Sequence, residues 1–333
     1  MPASSLRDRL HYLRKRGRSL ARWLVRELPH APGLELYSWG IDRQNRALTR
    51  QMVQGGVEAT TAYFAPYQNR EIPKILWLFW EQGLAEAPLL IRASVAQWRA
   101  MNPAWEIRVI DRESAGAWVD MPDLSPALAH RMRANALRLR LLARHGGVWA
   151  DATTYCHRPL DEWLPLLGGQ TGFFTFAGPH RDRWIDNWFI AAHPDTALIR
   201  TWCARYDAYV TRLTHMPQKY FMMIYILQWA LLRDPALRQV FRSSGALPAV
   251  PCYYLMAALE GKAPPALFGR ALAQGLPVSK LSHRAGLPER EMLGRLEALT
   301  GTRMGERVEA ASARAGAATT PDRATSGKAA ETA

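Results

Sequence analysis

An aspartate followed closely by two threonines is the pattern in this sequence with the clearest chemistry. Asp151 comes directly after the apolar stretch 148–150, and Thr153 and Thr154 follow it. A carboxylate with neutral oxygen groups beside it suits a hard cation such as Mg²⁺ or Mn²⁺, and these ions bridge diphosphates. The same carboxylate can also accept a hydrogen bond from a ribose hydroxyl. From the spacing alone, a functional Asp151 and one that merely caps a turn are equally consistent with the sequence.

The segments before Asp151 predict an α/β sheet that would carry it. Residues 72–80 consist of a Pro-containing start and then a continuous apolar run, as a buried strand does, and residues 105–110 alternate like a second strand. Between them, residues 88–101 have the apolar spacing of a helix. This order predicts a parallel, doubly wound sheet. Because ligands bind at the carboxyl ends of such strands, we expect Asp151 at the rim of a crevice.

Two further helices are predicted from capping and apolar spacing. One spans residues 125–144, with Ser125 as its cap and Gly146 as its end in a left-handed conformation. The other lies in the apolar run 220–232, which is predicted to be a buried core helix. It is too short to span a bilayer, which takes about 20 apolar residues.

Composition excludes some classes of protein but does not choose a partner. The chain has 333 residues, of which 48% are hydrophobic and 13 are Trp, so it is not disordered as a whole. Lys and Arg number 43 against 29 Asp and Glu, a net charge of +14. That surplus favours nucleic acid, anionic lipid or nucleotide ligands alike. Three widely spaced cysteines form neither a disulfide framework nor a zinc site and fit a reducing compartment.

The two ends of the chain differ from the body, which we place at residues 70–295. Residues 1–30 carry eight Lys and Arg against two acidic residues, with apolar residues at helical spacing. They predict a basic amphipathic segment that either adsorbs to an anionic membrane or packs on the domain. No signal peptide is recognised, so the expected location is cytoplasmic, at most peripheral on the inner face of the membrane. Residues 301–333, rich in Ala, Thr and Gly, are predicted to be disordered.

Three blocks of the body carry a resemblance to a known family. The first is IPKILWLFWEQGLAEAP at residues 72–88, continued at 94–111; the second is residues 137–163, which contain HGGVWADATTYC. A weaker third block comprises residues 187–202 and 277–284. In their spaced Trp, Gly and Pro positions these blocks resemble the capsular polysaccharide synthesis proteins. These are bacterial nucleotide-sugar-dependent glycosyltransferases, related to a larger family with a DXD motif.

The resemblance implies a fold, an activity and a cofactor. The fold would be a GT-A type nucleotide-diphospho-sugar transferase domain, an α/β domain with a mostly parallel sheet and flanking helices. The activity would be transfer of a sugar from a nucleotide diphosphate sugar to a polysaccharide or glycolipid acceptor, in the synthesis of a capsule or other surface glycan. Mn²⁺ or Mg²⁺ would be held at Asp151, which would otherwise contact the donor's ribose.

The resemblance also implies roles in binding the donor. Ile75, Trp77 and Trp80 would line the nucleotide end of the site, where a ring can stack on the base. Arg138 would approach the donor sugar or its phosphates. Lys280 would neutralise the leaving diphosphate, and positive charge placed there stabilises the transition state.

Two positions depart from the family pattern. Thr153 stands where the broader family has a second carboxylate, which weakens the case for a metal ion. Asn135 stands where the family usually has Asp, three residues before Arg138. Asn135 is therefore the reason to keep an alternative function open: a catalytically degenerate transferase fold that acts as a binding or scaffold protein at the membrane.

The remaining expectations concern the base and the partners. Asp186, in the third block, is a candidate base for the acceptor hydroxyl, although an ordinary surface aspartate is the more frequent case. His283, close to Lys280, could contact phosphate. No nucleic-acid module is recognised, and Gly146-Gly147 fits a helix-to-strand turn rather than a phosphate loop. We therefore expect a nucleotide sugar and a glycan as partners, and no nucleic acid.

Overall fold

The computed structural model describes residue 55 and residues 70–169, 171–180, 183–217, 219–283 and 286–305. The predicted basic segment 1–30 and the tail beyond residue 305 lie outside the described residues. Met304 is fully buried and its sulfur accepts a hydrogen bond from the Tyr155 hydroxyl. The packed body therefore reaches Met304 and passes both boundaries predicted from the sequence, at residues 295 and 301.

Short strands and helices alternate along the described residues. The strands are β1 (Ile75–Phe79), β2 (Glu106–Ile110), β3 (Gly147–Ala150), β4 (Thr154–Cys156), β5 (Phe173–His180), β6 (Arg183–Ala192), β7 (Ala246–Pro248) and β8 (Val278–Lys280). The α-helices are α1 (Leu89–Met101), α2 (His130–His145), α3 (Leu164–Gly168), α4 (Ala197–Val210), α5 (Met222–Arg233), α6 (Pro235–Ser243), α7 (Tyr254–Leu259), α8 (Pro265–Ala273) and α9 (Glu289–Thr300).

Six of these strands form one sheet in the order β2-β1-β3-β6-β5-β7. Strand β1 pairs in parallel with β2 and β3, and β5 pairs in parallel with β7. Strand β6 runs antiparallel to both of its neighbours because it returns from β5 as a hairpin. The predicted α/β class with a mostly parallel sheet is confirmed, whereas a wholly parallel, doubly wound sheet is wrong because of β6.

Side-chain alternation along the central strands divides the core into two layers, one on each face of the sheet. On β1, Leu76 and Leu78 belong to one buried cluster and Trp77 to the other. On β3, Val148 lies in the first cluster and Trp149 in the second. Successive residues of a strand point to opposite faces, so a strand buried on both faces is apolar throughout. This explains the uninterrupted apolar runs in the sequence.

Helix α2 starts later than the sequence predicts. Ser125 begins an isolated turn, in which the Leu128 amide donates to the Ser125 carbonyl over 3.0 Å, and the helix itself begins at His130. The predicted Ser125 cap is therefore wrong. The predicted end at Gly146 is confirmed, because its amide closes the last turn, whereas the predicted left-handed helical conformation is wrong: Gly146 has φ 68° but ψ −156°. The predicted core helix near residues 220–232 is also confirmed, as α5 is largely buried.

The turn from α2 into β3 requires glycine twice. Gly147 has φ 90°, and a Cβ atom there would lie 2.4 Å from the Ile75 carbonyl oxygen. At Gly146 a Cβ would lie 2.6 Å from Cδ of Pro194. Because glycine alone fits both the backbone angle and the space, this pair lets β3 lie against β1 directly after the helix. The turn thereby fixes where β3 begins.

Candidate active site

Asp151 lies directly after β3, at the carboxyl end of the parallel part of the sheet, as the sequence predicts. Its amide donates to the Trp188 carbonyl over 2.7 Å, and its own carbonyl accepts from the Thr154 hydroxyl over 2.7 Å. These two bonds fix its backbone between β6 and the start of β4. The carboxylate is therefore held at a defined place on the edge of the sheet.

Both carboxylate oxygens of Asp151 have cationic neighbours. Oδ1 accepts from Nη2 of Arg138 over 3.2 Å and from Nε1 of Trp149 over 3.1 Å. Oδ2 lies 3.4 Å from Nζ of Lys280. Burial alone would raise the pKa of Asp151, but the charges of Arg138 and Lys280, with the hydrogen bonds from Trp149 and Lys280, lower it. Asp151 is therefore ionised at neutral pH.

Arg138 reaches the site from the buried face of α2. Its side chain is 8% exposed, its Nη1 donates to the Asn187 carbonyl on β6, and its guanidinium lies 4.9 Å from the ring centroid of Trp149. It thus joins α2, β3 and β6 through three kinds of contact. A guanidinium held in this way is a fixed positive charge beside the cavity.

Lys280 comes from the other end of the sequence, through the two-stranded sheet that β8 forms with β4. The register places Lys280 opposite Thr154, and the Leu281 amide donates to the Thr153 carbonyl over 2.8 Å. Its ammonium donates to the Thr153 hydroxyl beside Asp151. This pairing brings together residues that lie 127 positions apart in the chain.

These side chains line a cavity of about 470 Å³. Its walls come from the ends of β1 and β3, from α2, and from the residues that follow β8. Five of the lining residues carry full charges: the cations Arg131, Arg138 and Lys280, and the anions Glu81 and Asp151. Glu81 is further neutralised by Arg112, at 2.5 Å. The cavity is therefore suited to an anionic ligand.

An aromatic residue stands at each of two places on the cavity wall. Trp80 follows β1, its ring centroid lies 5.2 Å from that of His283, and its Nε1 has no hydrogen-bond partner among the described residues. Tyr220 is 62% exposed, and the guanidinium of Arg131 lies 4.6 Å from its ring centroid. Trp80 can offer a ring face and a donor to a base, whereas Tyr220 faces the solvent side.

The structure brings most of the predicted site residues to this cavity. Asn135, Arg138, Thr153 and Lys280 line it together with Asp151 and Trp80, and His283 lies on the same wall. Asn135 and Thr153 are each only 9% exposed. The blocks of sequence that suggested these residues thus converge on one place in the fold.

The predicted place of Ile75 and Trp77 at the nucleotide end of the site is corrected by the structure, because neither residue lines the cavity. Trp77 is fully buried, its Nε1 donates to the Gly146 carbonyl over 3.0 Å, and its ring packs against Trp118. Ile75 lies at the start of β1, at the opposite end of the strand from Trp80. Only the carboxyl end of a parallel strand reaches the crevice, so of Ile75, Trp77 and Trp80 only Trp80 lines the cavity.

Asp186 is a second correction. It is 2% exposed within β6 and does not line the cavity. Its carboxylate accepts hydrogen bonds from the Tyr253 hydroxyl and, over 3.1 Å, from the Asn187 amide. Burial and the negative charge of Asp186 raise the pKa of Tyr253. An aspartate enclosed in this way lies outside the cavity, so the structure does not bring Asp186 together with the other predicted site residues.

The residues at Asp151 do not fit a divalent cation. Among the described residues, no group of three His, Cys, Asp or Glu side chains lies close enough to hold a metal ion. Asp151 is already paired with Arg138 and Lys280, and the hydroxyl of Thr153 accepts from Lys280. A site for Mg²⁺ or Mn²⁺ normally offers carboxylates to the ion, whereas here two cations occupy the single carboxylate.

Sequence reasoning missed Arg131 and Tyr220. Arg131 lies seven residues before Arg138, which is two helical turns, so the two arginines share one face of α2. That spacing is a signal that could have revealed Arg131. The sequence carries no such signal for Tyr220, because Tyr220 directly precedes an apolar helix and falls within the predicted core helix 220–232.

The comparisons with known proteins decide the family. A family model described as capsular polysaccharide synthesis protein matches residues 41–293. The chain belongs to this family. The mostly parallel sheet with flanking helices confirms the predicted α/β class of fold.

Curated relatives that this chain matches are glycosyltransferases. It is 28% identical over 149 residues to glycosyltransferase afumC of Aspergillus fumigatus, which covers 38% of each chain. It is 26% identical over 115 residues to the initiation-specific alpha-1,6-mannosyltransferase of Candida albicans, covering 31% of this chain and 30% of that one. The matched stretches thus span less than half the length of these relatives.

Solved structures with similar folds have low sequence identity to this family member. The PaToxG glycosyltransferase aligns with 80% of this chain and 97% of its own, with a TM-score of 0.36 and 14% identity. The galactosyltransferase LgtC, solved with donor and acceptor sugar analogs, aligns with 70% of this chain and 99% of its own, with a TM-score of 0.35 and 12% identity. Separately, none of the helices in the described residues is long and apolar enough to cross a membrane.

Proposed function

We propose that this chain is a glycosyltransferase that moves a sugar from a nucleotide diphosphate sugar to a glycan acceptor. One observation carries the proposal: Arg138 and Lys280 converge on Asp151 in a cavity at the carboxyl end of the sheet. The two fixed cations are complementary to a diphosphate, and the carboxylate is complementary to the hydroxyl groups of the rings joined to it. Family membership and the curated glycosyltransferase relatives support the same reading.

The cavity offers a complementary group for each part of the donor. The ring of Trp80, which lines the cavity, stacks on the nucleobase. Asp151 and Asn135 accept hydrogen bonds from ribose or sugar hydroxyls. Arg138 and Lys280 face the phosphates. Donor recognition is thereby divided between an apolar ring, neutral hydrogen-bonding groups and two cations.

The same cations would drive the reaction. The bond between the anomeric carbon and the phosphate oxygen breaks, and the acceptor oxygen forms the new bond to that carbon. Negative charge grows on the leaving diphosphate, so positive groups aimed at it lower the barrier. Both carboxylates of the cavity are paired with cations, and we therefore assign the acceptor's proton to an oxygen of the departing diphosphate.

The acceptor would enter beside Tyr220. This residue is among the few exposed large apolar side chains of the described structure, and it lies on the wall of the same cavity. Arg131 holds one face of its ring and leaves the phenol exposed. A ring in this position can stack on the apolar face of a sugar. Membership of a capsular polysaccharide synthesis family supports a polysaccharide or glycolipid as the acceptor.

One observation favours a second candidate function, a scaffold that binds the nucleotide sugar without turnover. Asn135 lines the cavity at the position where the family resemblance leads us to expect Asp, so Asp151 is the single carboxylate paired with Arg138 among the described residues of the site. A membrane role through residues 1–30, and a cytoplasmic location, remain predictions because those residues lie outside the described ones.

A panel of UDP- and GDP-sugars separates the two candidates. Purified protein is incubated with each donor in Mn²⁺ and in EDTA, and release of nucleoside diphosphate is measured with and without glycan acceptors. Asp151→Asn is expected to lower turnover by about 10²–10³, whereas Asp123→Asn, at an exposed aspartate that does not line the cavity, leaves it unchanged. Tight donor binding without release indicates the scaffold, and an unaffected Asp151→Asn variant contradicts the proposed site.

A further inference from the structure

We infer that Lys280 takes the place of a divalent cation, so that the donor diphosphate binds without a metal ion. This inference rests on the proposed function and deepens it, because it assigns the charge that neutralises the leaving group to a side chain of this protein. It also departs from the Mn²⁺ or Mg²⁺ that the family resemblance implies.

The first ground is that Asp151, the carboxylate that the described residues place beside the predicted diphosphate position, is already paired with two cations. Arg138 contacts Oδ1 of Asp151 at 3.2 Å and Lys280 contacts Oδ2 at 3.4 Å. The other acidic residue of the cavity, Glu81, is paired with Arg112 at 2.5 Å. An added divalent ion would therefore meet two fixed cations and no unpaired carboxylate among the described residues lining the cavity.

The second ground is the residue two positions after Asp151. Thr153 presents a neutral hydroxyl there, and that hydroxyl accepts a hydrogen bond from the ammonium of Lys280. A second carboxylate at this position would attract a metal ion, whereas a hydroxyl of this kind helps to orient an amine. Thr153 and Lys280 thus form a matched pair.

The third ground is that Lys280 is held in place with donor capacity to spare. Its side chain is 18% exposed, and the β4–β8 pairing fixes its backbone opposite Thr154. An ammonium has three N–H donors. Thr153 and Asp151 occupy two of them, which leaves one without a partner among the described residues. A compact charge of this kind on the cavity wall suits a phosphate oxygen.

The experiment measures binding of UDP and GDP to the full chain by calorimetry, in EDTA and in Mn²⁺. Wild-type affinity for the preferred nucleotide is expected to differ by less than about 2-fold between the two conditions. Lys280→Met is expected to weaken that binding by about 10- to 100-fold, the worth of one hydrogen bond to a charged group. Lys262→Met is the matched control, because Lys262 is 69% exposed, pairs with Glu260 and lies outside the cavity.

A double variant adds a test with an expected gain, which a protein that has merely lost function would not show. Thr153→Asp with Lys280→Met replaces the amine by a second carboxylate, and its nucleotide binding is expected to become at least about 10-fold tighter in Mn²⁺ than in EDTA. Indifference of this double variant to Mn²⁺ would contradict the assigned position of Lys280, as would a folded Lys280→Met variant with unchanged affinity.

Failure of the inference and failure of the proposed function give different results. Wild-type binding that needs Mn²⁺ and disappears in EDTA overturns the inference and leaves the glycosyltransferase proposal standing. Absence of nucleotide and nucleotide-sugar binding under both conditions overturns the proposed function and the inference with it. The wild-type comparison decides between these outcomes even where a variant does not fold.

Discussion

The guanidinium of Arg138 joins the carboxylate of Asp151, with Nη2 3.2 Å from Oδ1, and so ties helix α2 to the end of strand β3. The same guanidinium donates to the Asn187 carbonyl on β6. One side chain therefore both fixes the geometry of the site and supplies part of its charge. Its removal should affect folding and activity together.

Arg138→Met, which keeps the length of the apolar stem, is expected to lower the free energy of unfolding by about 1.5–3 kcal/mol, because charge-assisted hydrogen bonds to partly buried groups are lost. Sugar transfer should fall by about 10²–10³. Urea unfolding and nucleoside diphosphate release measure the two effects. Arg144→Met, an exposed arginine on the same helix, is the control. Wild-type turnover in Arg138→Met would exclude a role in catalysis.

Much of the first half of the fold could be predicted from local sequence. The apolar runs of β1 and β3, the helical spacing of α1 and the glycines after α2 each depend on neighbours in the chain, and they placed Asp151 correctly at the edge of the sheet. The antiparallel direction of β6 could not be read in this way, since it depends on which strands become neighbours after a hairpin.

The charged part of the site likewise could not be predicted from local sequence. The contact of Lys280 with Thr153 depends on the register of β4 with β8, and no local pattern encodes the pairing of strands so far apart. Trp77 and Trp80 belong to one apolar block, yet the first is packed inside the sheet and the second lies beyond the strand end. The sequence of the block does not show where the strand ends, so it predicts contact with the nucleotide for Trp77 and Trp80 alike.

Gly147→Ala tests the turn that delivers β3. A methyl group at this position would lie 2.4 Å from a backbone oxygen of β1, and the residue has φ 90°. Backbone strain and this clash together are expected to cost more than about 3 kcal/mol of unfolding free energy. Urea unfolding is the measurement. Gly116→Ala is the control, since nothing lies within 4 Å of a Cβ there. Equal stability of the two variants would refute the requirement for glycine.

Tyr220 offers a test of the acceptor side alone. If its exposed ring stacks on a sugar, Tyr220→Ala loses about 50 Å² of apolar contact, worth about 1.3 kcal/mol, and the acceptor KM rises about 10-fold. Tyr220→Trp should retain low KM. Donor hydrolysis by water, which needs no acceptor, should stay within about 2-fold of wild type.

The measurement uses a panel of aryl glycosides as acceptors, with Leu272→Ala as the control because Leu272 is exposed away from the cavity. A Tyr220→Ala variant that changes donor hydrolysis and leaves acceptor KM unchanged would place the ring on the donor side instead.

His157 is predicted to make stability depend on pH. Its ring lies 5.0 Å from that of Tyr155 and 5.5 Å from that of Phe268, and its Nε2 is 2.8 Å from the Ser279 hydroxyl. Burial lowers the pKa of His157 from 6.5 to about 3. The unfolded chain binds a proton near pH 6.5 and the folded chain does not, so the stabilisation is complete above pH 6.5 and is lost as the pH falls toward 3.

His157→Gln removes the titrating group while keeping a hydrogen-bonding partner for Ser279. Between pH 6 and 4, wild-type unfolding free energy should fall more steeply than that of the variant, by about 1 kcal/mol per pH unit. Urea unfolding at pH 7.5, 6, 5 and 4 measures the difference in slope. His215→Gln, on an exposed histidine, should keep the wild-type slope. Equal slopes for wild type and His157→Gln would show that His157 can be protonated in the folded protein, because only a proton bound by the unfolded state alone produces this dependence.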